Sequence, residues 1–236
     1  MKFIFFDSET TNLPNFKAKH SDPTQPHLVQ LAACLTEADG TVIRSFSEII
    51  SPKGWYLEMP PESFKAHGIT YERALAEGIP LARAVNKFNK MAREADVSVA
   101  FNIQFDIKIM QIAWCRANLW PQKDPFQIKE CAMQLAKPLV RAAATEAMIA
   151  AGMGKRVKQP SLAEAYQFFF GKGFDNAHDA GADTLACKEV YFAAKRMIAE
   201  QALYVPDAKK ESDNFQSALR NAFVNRDSYE DSPENQ

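Results

Sequence analysis

The sequence predicts an α/β domain with a mixed β-sheet flanked by helices. Short apolar segments typical of buried strands alternate with segments whose apolar residues recur at the spacing of one helix face. An Asp-Gly pair between two strand candidates predicts a hairpin, and therefore an antiparallel pair within the sheet. The 236 residues, 47% hydrophobic and 24% charged, match the composition of a soluble globular protein with a sizeable core.

Five short strands rich in apolar residues are expected. The second and third are joined at Asp39-Gly40, where glycine permits the tight turn of a hairpin. The fourth and fifth flank a helix candidate. The predicted strands cover residues 2–6, 28–35, 41–50, 97–101 and 126–131.

Helices are predicted from apolar spacing and from the residues that begin or end them. Two prolines at 60–61 open a short helix that Gly68 ends, and Pro80 opens a longer helix with one apolar face. The sequence Ser-Leu-Ala-Glu at 161–164 is a capping box that begins another. Further helices are expected near residue 105, from residue 133 to a glycine-rich break at 152–154, and over residues 180–200.

Charge and cysteine content exclude several classes of protein. The formal net charge of -1 gives no overall field that would attract nucleic acid or an anionic membrane, so either would require local charge. The four cysteines lack metal or redox spacing and are expected to be reduced thiols. No segment has the roughly 20 apolar residues of a membrane span, and the apolar start is too short for a signal peptide. We therefore expect a cytoplasmic protein that does not contact membranes. These features leave its oligomeric state open.

The composition changes near the C-terminus. Residues 1–205 are predicted to form the folded domain, and residues 206–236 a polar tail. Within the tail, Phe215, Leu219 and Phe223 have helical spacing, which favours a short helix packed on the domain over a segment that contacts a replication or repair protein. The last residues are expected to be disordered.

Two carboxylates follow the first predicted strand. Asp7 and Glu9 are two residues apart, a spacing that places both side chains on one face of a strand. Their like charges repel and raise each carboxyl pKa unless a cation lies between them. A solvated turn would also accommodate them, so the pair alone is a weak signal.

Two further acids and a histidine stand at positions that a core does not explain. Asp106 lies near the start of a helix after the fourth strand, where it is equally compatible with a helix cap. Asp183 lies on the apolar face of the last helix, where an unpaired carboxylate is costly, and His178 precedes that helix by a short turn. Carboxylate oxygens are ligands that select Mg²⁺ or Mn²⁺. Two such ions are suited to catalysing a displacement reaction at a phosphate, and a histidine is suited to removing the proton of the attacking water.

Three segments together resemble the motifs of the DEDDh (DnaQ-like) 3′-5′ exonuclease family. This family includes the epsilon proofreading subunit of DNA polymerase III, ribonuclease T and oligoribonuclease. The segments are Phe-Asp-Ser-Glu-Thr-Thr-Asn-Leu at 6–13, Asn-Ile-Gln-Phe-Asp at 102–106 and Ala-His-Asp-Ala-Gly-Ala-Asp at 177–183. The resemblance covers about residues 1–200, with one departure at Asn12, where many members have glycine.

The resemblance implies a ribonuclease H-like fold and hydrolysis of phosphodiester bonds from the 3′ end, with release of nucleoside 5′-monophosphates. It implies that Asp7, Glu9, Asp106 and Asp183 hold two Mg²⁺ or Mn²⁺ ions per active site, with Asp7 shared between them. It also implies that His178 is the general base. These five side chains are the predicted catalytic residues.

Contacts with the substrate are predicted from the same resemblance and from local charge. The matched segments imply contacts from Thr10, Leu13, His67, Asn102 and Phe105, although a helix terminus also explains the segment at His67. Residues 129–172 contain seven Lys or Arg against three Glu. The cluster of Lys155, Arg156 and Lys158 is predicted to track a nucleic-acid backbone, and a solvated surface explains it equally well.

DNA with a free 3′ end, in single-stranded form, is the preferred substrate. RNA ends are the alternative, which differs only in contacts to the 2′-hydroxyl that the sequence does not locate. A phosphohydrolase of the HD type, suggested by His178-Asp179, ranks lower because it leaves Asp7, Glu9 and Asp106 unexplained. A nucleic-acid binding module without turnover also ranks lower, because all five catalytic positions are filled.

Overall fold

The computed structural model describes residues 1–53 and 60–203, which contain a five-stranded mixed sheet of order β3-β2-β1-β4-β5. The central strand β1 is antiparallel to β2 and parallel to β4, β2 and β3 are antiparallel, and β4 and β5 are parallel. The predicted α/β class with a mixed five-stranded sheet is confirmed. The strands are β1 (Phe3–Thr10), β2 (Leu28–Thr36), β3 (Val42–Ile49), β4 (Val97–Ala100) and β5 (Lys129–Cys131).

Helices connect and flank the strands. In the described residues they are α1 (Pro61–His67), α2 (Tyr71–Glu77), α3 (Leu81–Ala92), α4 (Ile103–Ala117), α5 (Ala132–Val140), α6 (Glu146–Ala150), α7 (Leu162–Phe170) and α8 (Ala180–Leu203). The predicted capping box of α7 is present, and Gly68 ends α1 at a φ of 66°, a conformation that glycine adopts without steric cost.

The alternating side chains of β1 contact two different helical layers. Ile4 and Phe6 belong to the main core with α3 and α4. On the opposite face, Phe3 and Phe5 pack against the ring of Tyr191 in α8, with centroids 5.7 and 5.4 Å away. Since side chains repeat every second residue along a strand, the positions after Phe5 on this face point toward the α8 side of the sheet.

Strand β1 extends to Thr10, so the prediction that it ends at Phe6 is wrong. Asp7 and Glu9 therefore lie within the strand and not after it. The reason is backbone pairing, because the register with β2 continues past Phe6. Asp7 is paired with Ala32, and Glu9 is paired with Gln30. A strand signal read from side-chain hydrophobicity stops where the side chains become polar, whereas the hydrogen-bonded ladder continues.

Some helix boundaries also differ from the predictions. Helix α2 was not predicted, although Thr70 caps it by accepting a hydrogen bond from the Arg73 backbone N–H at 3.1 Å. Helix α4 begins at Ile103 and not near Phe105, because Asn102 with a φ of 66° turns the chain directly out of β4. The helical stretch predicted from residue 133 ends at Val140, where Arg141 is left-handed, and resumes as α6.

By their contacts the residues group into two units, Met1–Ala194 and Lys195–Gln236. The core described above belongs to the first unit. The boundary predicted at residue 205 stays a prediction, and the predicted tail helix lies outside the described residues. Within the described part of the chain, no helix has both the length and the hydrophobicity of a membrane span. All four cysteines are free.

Candidate active site

The site begins at the end of β1. Asp7 and Glu9 are partly buried and share the face of the sheet that carries Phe5. Glu9 is paired across the antiparallel ladder with Gln30 of β2, so these two side chains emerge on the same face. The strand itself therefore places two carboxylates side by side at the edge of the core.

Asp106 reaches the same end of β1 from α4. It is only 2% exposed, and its Oδ1 accepts a hydrogen bond from the Ser8 hydroxyl at 2.6 Å. Because β4 is parallel to β1 and α4 follows it immediately, the first turn of α4 lies beside the carboxyl end of β1. Burial raises the pKa of Asp106 to about 7, although the hydrogen bond from Ser8 opposes this shift.

His178 and Asp183 enter from the start of α8. The backbone N–H of His178 faces both carboxylate oxygens of Asp183 at 3.3 Å. One ligand atom from each of Glu9, His178 and Asp183 lies within 4.8 Å of the other two. The imidazole is exposed, which leaves it accessible to a substrate.

Four acids thus converge where their charges repel. Burial, together with neighbouring acids of which Asp183 is the strongest, raises the pKa of Glu9 to about 8. Burial also raises the pKa of Asp183 to about 6. Burial and the charges of Asp106 and Asp183 hold the pKa of Asp7 well above its usual range. Without a compensating cation, the folded protein disfavours full ionisation of this cluster.

These residues fit a hard divalent cation. In the described ranges, none of the four carboxylates forms an ion pair with lysine or arginine. Ionised carboxylates that repel one another and lack a basic side chain are a donor set that Mg²⁺ or Mn²⁺ would neutralise. The chemistry of the donors therefore supports a divalent-metal site at the end of β1.

His67 and Thr10 border this cluster. His67 is 8% exposed, and its Nδ1 accepts a hydrogen bond from the Ile69 N–H at 3.1 Å. Burial lowers the pKa of His67, a backbone contact with Thr10 partly offsets this, and the charge of His178 lowers it further. The Thr10 hydroxyl donates to the Asn12 carbonyl at 2.8 Å, so in this structure it shapes the turn after β1.

The other predicted substrate residues lie in varied environments. Leu13 is 78% exposed directly after β1, Asn102 is exposed at the start of α4, and Phe105 packs against the main core. Lys155 and Arg156 are exposed in the loop between α6 and α7. Lys158 forms an ion pair with Glu164 at 2.7 Å, so its charge is already compensated within the chain.

Sequence reasoning missed two residues that support the site. Ser8 was named only as part of the first motif segment, but its hydroxyl donates a hydrogen bond to the carboxylate of Asp106. Gln30 is 4% exposed and was assigned only to the second strand, although its side chain contacts the segment beside His178. A buried amide on a strand is the signal that could have singled out Gln30, because such a group requires polar partners.

The raised carboxyl pKa values predict how stability depends on pH without metal. Unfolded carboxyls ionise at about pH 4, whereas Asp183, Asp106 and Glu9 in the folded protein ionise at about 6, 7 and 8. Between these limits the folded state binds more protons, so their contribution to the free energy of unfolding decreases as pH rises. We expect urea denaturation in EDTA to show a smaller decrease between about pH 5 and pH 8.5 for Glu9→Gln than for the wild type. Equal pH dependence of the two proteins would contradict the raised pKa of Glu9.

The mixed five-stranded sheet flanked by helices places the protein in the class of ribonuclease H-like folds. Consistent with that class, the family model described as exonuclease matches residues 4–191. The chain therefore belongs to the exonuclease family, and the predicted membership of the DEDDh-type 3′-5′ exonucleases is confirmed. A search by sequence among curated proteins found no match.

Solved structures of exonuclease I share the fold. The zinc-bound complex of E. coli exonuclease I with single-stranded DNA is 20% identical with a TM-score of 0.62, over 83% of this chain and 40% of that chain. Exonuclease I from the moderately thermophilic Methylocaldum szegediense is 21% identical with a TM-score of 0.61, over 83% and 40%. A further exonuclease I structure is 19% identical with a TM-score of 0.64, over 83% and 41%. The chain thus spans about two-fifths of the length of these proteins.

Proposed function

We propose that this protein is a divalent-metal-dependent 3′-5′ exonuclease that removes nucleoside 5′-monophosphates from single-stranded DNA. The observation that carries the proposal is the convergence of Asp7, Glu9, Asp106 and Asp183 beside the exposed imidazole of His178. Segments that are far apart in the sequence supply these groups, and the cluster matches the requirements of phosphodiester hydrolysis.

The four carboxylates would hold the metal, in a two-ion arrangement with Mg²⁺ or Mn²⁺. When bound, divalent cations would supply the positive charge that stabilises negative charge developing on the phosphate and on the leaving oxygen. Asp7 would be one of these ligands, because burial and the charges of Asp106, Asp183 and Glu9 all raise its pKa and a bound cation would instead favour its ionised form. The Ser8 hydroxyl would orient the buried carboxylate of Asp106.

His178 would accept the proton of the attacking water at a ring nitrogen. The water oxygen then forms a bond to the terminal phosphorus while the bond from phosphorus to the 3′-oxygen of the preceding nucleotide breaks, and that oxygen takes up a proton. The carboxylates of Glu9 and Asp183, within 4.8 Å of the imidazole, would stabilise the imidazolium that forms.

The proposed preference for single-stranded DNA is based on the residues that border the carboxylate cluster. His67, Thr10, Leu13, Asn102 and Phe105 are proposed to contact the terminal nucleotide. An exposed leucine at the edge of the site offers an apolar surface on which a terminal base can pack, and an unpaired base can turn freely to reach it.

The basic loop is proposed to follow the rest of the strand. Lys155 and Arg156 are exposed and would contribute charge toward the phosphates, and Lys158 would contribute less because of its pairing with Glu164. Among the structural neighbours, exonuclease I has been determined with single-stranded DNA, which supports DNA over RNA. The described residues contain a candidate metal group with a single histidine, which does not favour an HD-type phosphohydrolase.

Matched single-stranded DNA and RNA oligonucleotides with a 5′ label test the proposal. We expect a ladder of shortened 5′-labelled DNA products in Mn²⁺ or Mg²⁺, none in EDTA, and slower trimming of RNA of the same sequence. Immediate appearance of labelled mononucleotide would indicate the opposite polarity. Faster trimming of RNA would favour the exoribonuclease alternative, and binding without cleavage of either strand would favour a non-catalytic module.

A further inference from the structure

The buried side chain of Gln30 connects β2 to the segment that carries His178. Its Nε2 donates to Asp179 Oδ2 at 2.8 Å and to Ser47 Oγ at 3.1 Å. Its Oε1 accepts a hydrogen bond from the Ala180 N–H at 3.1 Å. The side-chain nitrogen and oxygen of Gln30, a residue that is 4% exposed, are thus both hydrogen-bonded, mainly to the two residues that follow His178 in the chain.

Asp179 completes the connection by capping α8. Its Oδ1 accepts hydrogen bonds from the backbone N–H groups of Gly181 and Ala182 at 3.0 and 3.1 Å. The packing here is close, because a Cβ at Gly181 would lie 3.0 Å from Asp179 Oδ1 and 3.1 Å from Ser47. The Asp179 carboxylate therefore caps the first turn of α8 through Oδ1 and accepts a hydrogen bond from Gln30 of β2 through Oδ2.

The hydrogen-bond restraint on His178 itself is through its backbone N–H, which faces the Asp183 carboxylate oxygens at 3.3 Å. His178 is exposed, and its backbone φ of 70° lies in the left-handed region, which a non-glycine residue adopts at a cost. An exposed side chain in an unfavourable backbone conformation keeps its position only if the neighbouring residues are held firmly. The neighbours Asp179 and Ala180 are the residues that Gln30 holds.

We propose that Gln30 and Asp179 are positioning residues that hold His178 where it can accept the proton of the attacking water. This inference rests on the proposed function, in which His178 is the general base. Neither side chain is proposed to touch the substrate or to bind metal. Their effect on turnover passes through the backbone of residues 178–180.

The arrangement of donors and acceptors provides a sharp test. Gln30→Glu alone places a carboxylate oxygen against the carboxylate of Asp179, and Asp179→Asn alone can place an amide donor against the Gln30 donor. Combining the two substitutions restores the pattern with the roles exchanged. The carboxylate introduced on β2 would accept from the introduced amide and from the Ala180 N–H, while the oxygen of that amide still caps α8. The double variant also keeps the number of acidic residues in the pair unchanged.

We expect each single variant to lower kcat about 10-fold to 100-fold with KM changed by less than about threefold, as for other groups that orient a reacting side chain. The double variant is expected to return to within about threefold of the wild-type kcat. Asp39→Asn is the matched control, because Asp39 also accepts a backbone N–H, at 2.9 Å in the β2–β3 turn, and lies outside the site. Single variants within twofold of wild type, or a double variant no better than the worse single one, would overturn the proposal.

Two further measurements separate this proposal from a general loss of structure and from failure of the proposed function. In a His178→Ala background, Gln30→Glu should leave the residual rate unchanged, because the residue through which it acts is gone. Hydrogen exchange of the peptide spanning residues 176–183 should be faster in each single variant and near wild type in the double variant, whether or not the protein cleaves nucleic acid. An exchange rate unaffected by either substitution would contradict the connection itself.

Discussion

Asp7→Asn is expected to abolish nuclease activity and to stabilise the metal-free protein. Asparagine keeps the shape of the side chain but removes the charge that the site requires for a cation, so kcat should fall by roughly a thousandfold or more. Because the pKa of the Asp7 carboxyl is raised in the folded protein, this group lowers the free energy of unfolding at pH values above the range in which unfolded carboxyls ionise; asparagine does not titrate, so the metal-free Tm should rise. Activity assays, Mn²⁺ titration calorimetry and thermal unfolding in EDTA would measure the three effects.

The loss of activity together with a rise in the metal-free Tm distinguishes loss of a metal ligand from misfolding. A variant that lost activity because it misfolded would have a lower Tm, whereas loss of a metal ligand predicts a higher metal-free Tm together with weaker Mn²⁺ binding. Asp183→Asn should behave in the same direction, and Asp39→Asn in the exposed turn should leave all three quantities unchanged. Wild-type Mn²⁺ affinity in Asp7→Asn would remove Asp7 from the proposed ligand set.

His178→Ala is expected to reduce kcat by about 10²-fold to 10⁴-fold while Mn²⁺ binding stays within a few-fold of wild type. The imidazole is exposed and would act on the water proton, whereas the four carboxylates would hold the metal. Single-turnover kinetics and calorimetry with Mn²⁺ would measure these two quantities.

This experiment also distinguishes two roles that the geometry of the metal-free site allows. A histidine nitrogen within 4.8 Å of the Glu9 and Asp183 oxygens could serve as a base or as a ligand. If His178 were a ligand, His178→Ala would lose Mn²⁺ affinity in parallel with kcat. Near-normal rates in the variant would exclude both roles.

The fold was largely predictable because its signals are local. The Asp39-Gly40 turn, the capping box at Ser161 and the glycine that ends α1 each specify a boundary through backbone chemistry that a few neighbouring residues determine. The end of β1 was not predictable in this way, because the pairing of β2 with residues 7–10 depends on a partner elsewhere in the chain.

The candidate site was predictable only in part. The motif residues can be found because carboxylates at Asp7, Asp106 and Asp183 stand among apolar neighbours, where an isolated acid is unfavourable. An amide within an apolar strand marks Gln30 as a residue that needs polar partners, but nothing near it in the sequence indicates that those partners are residues 179–180.

The amino-acid sequence by itself determined which groups are available for chemistry and which segments form strands and helices, since spacing, capping and hydrophobicity act over a few residues. The tertiary structure decided which of those groups meet and how strongly they influence one another. Parallel pairing of β4 with β1 brings Asp106 beside Asp7, and docking of the start of α8 on the sheet brings Asp183 and His178 beside Glu9. The raised carboxyl pKa values arise only there, because burial and the repulsion between like charges depend on distances that the fold alone sets.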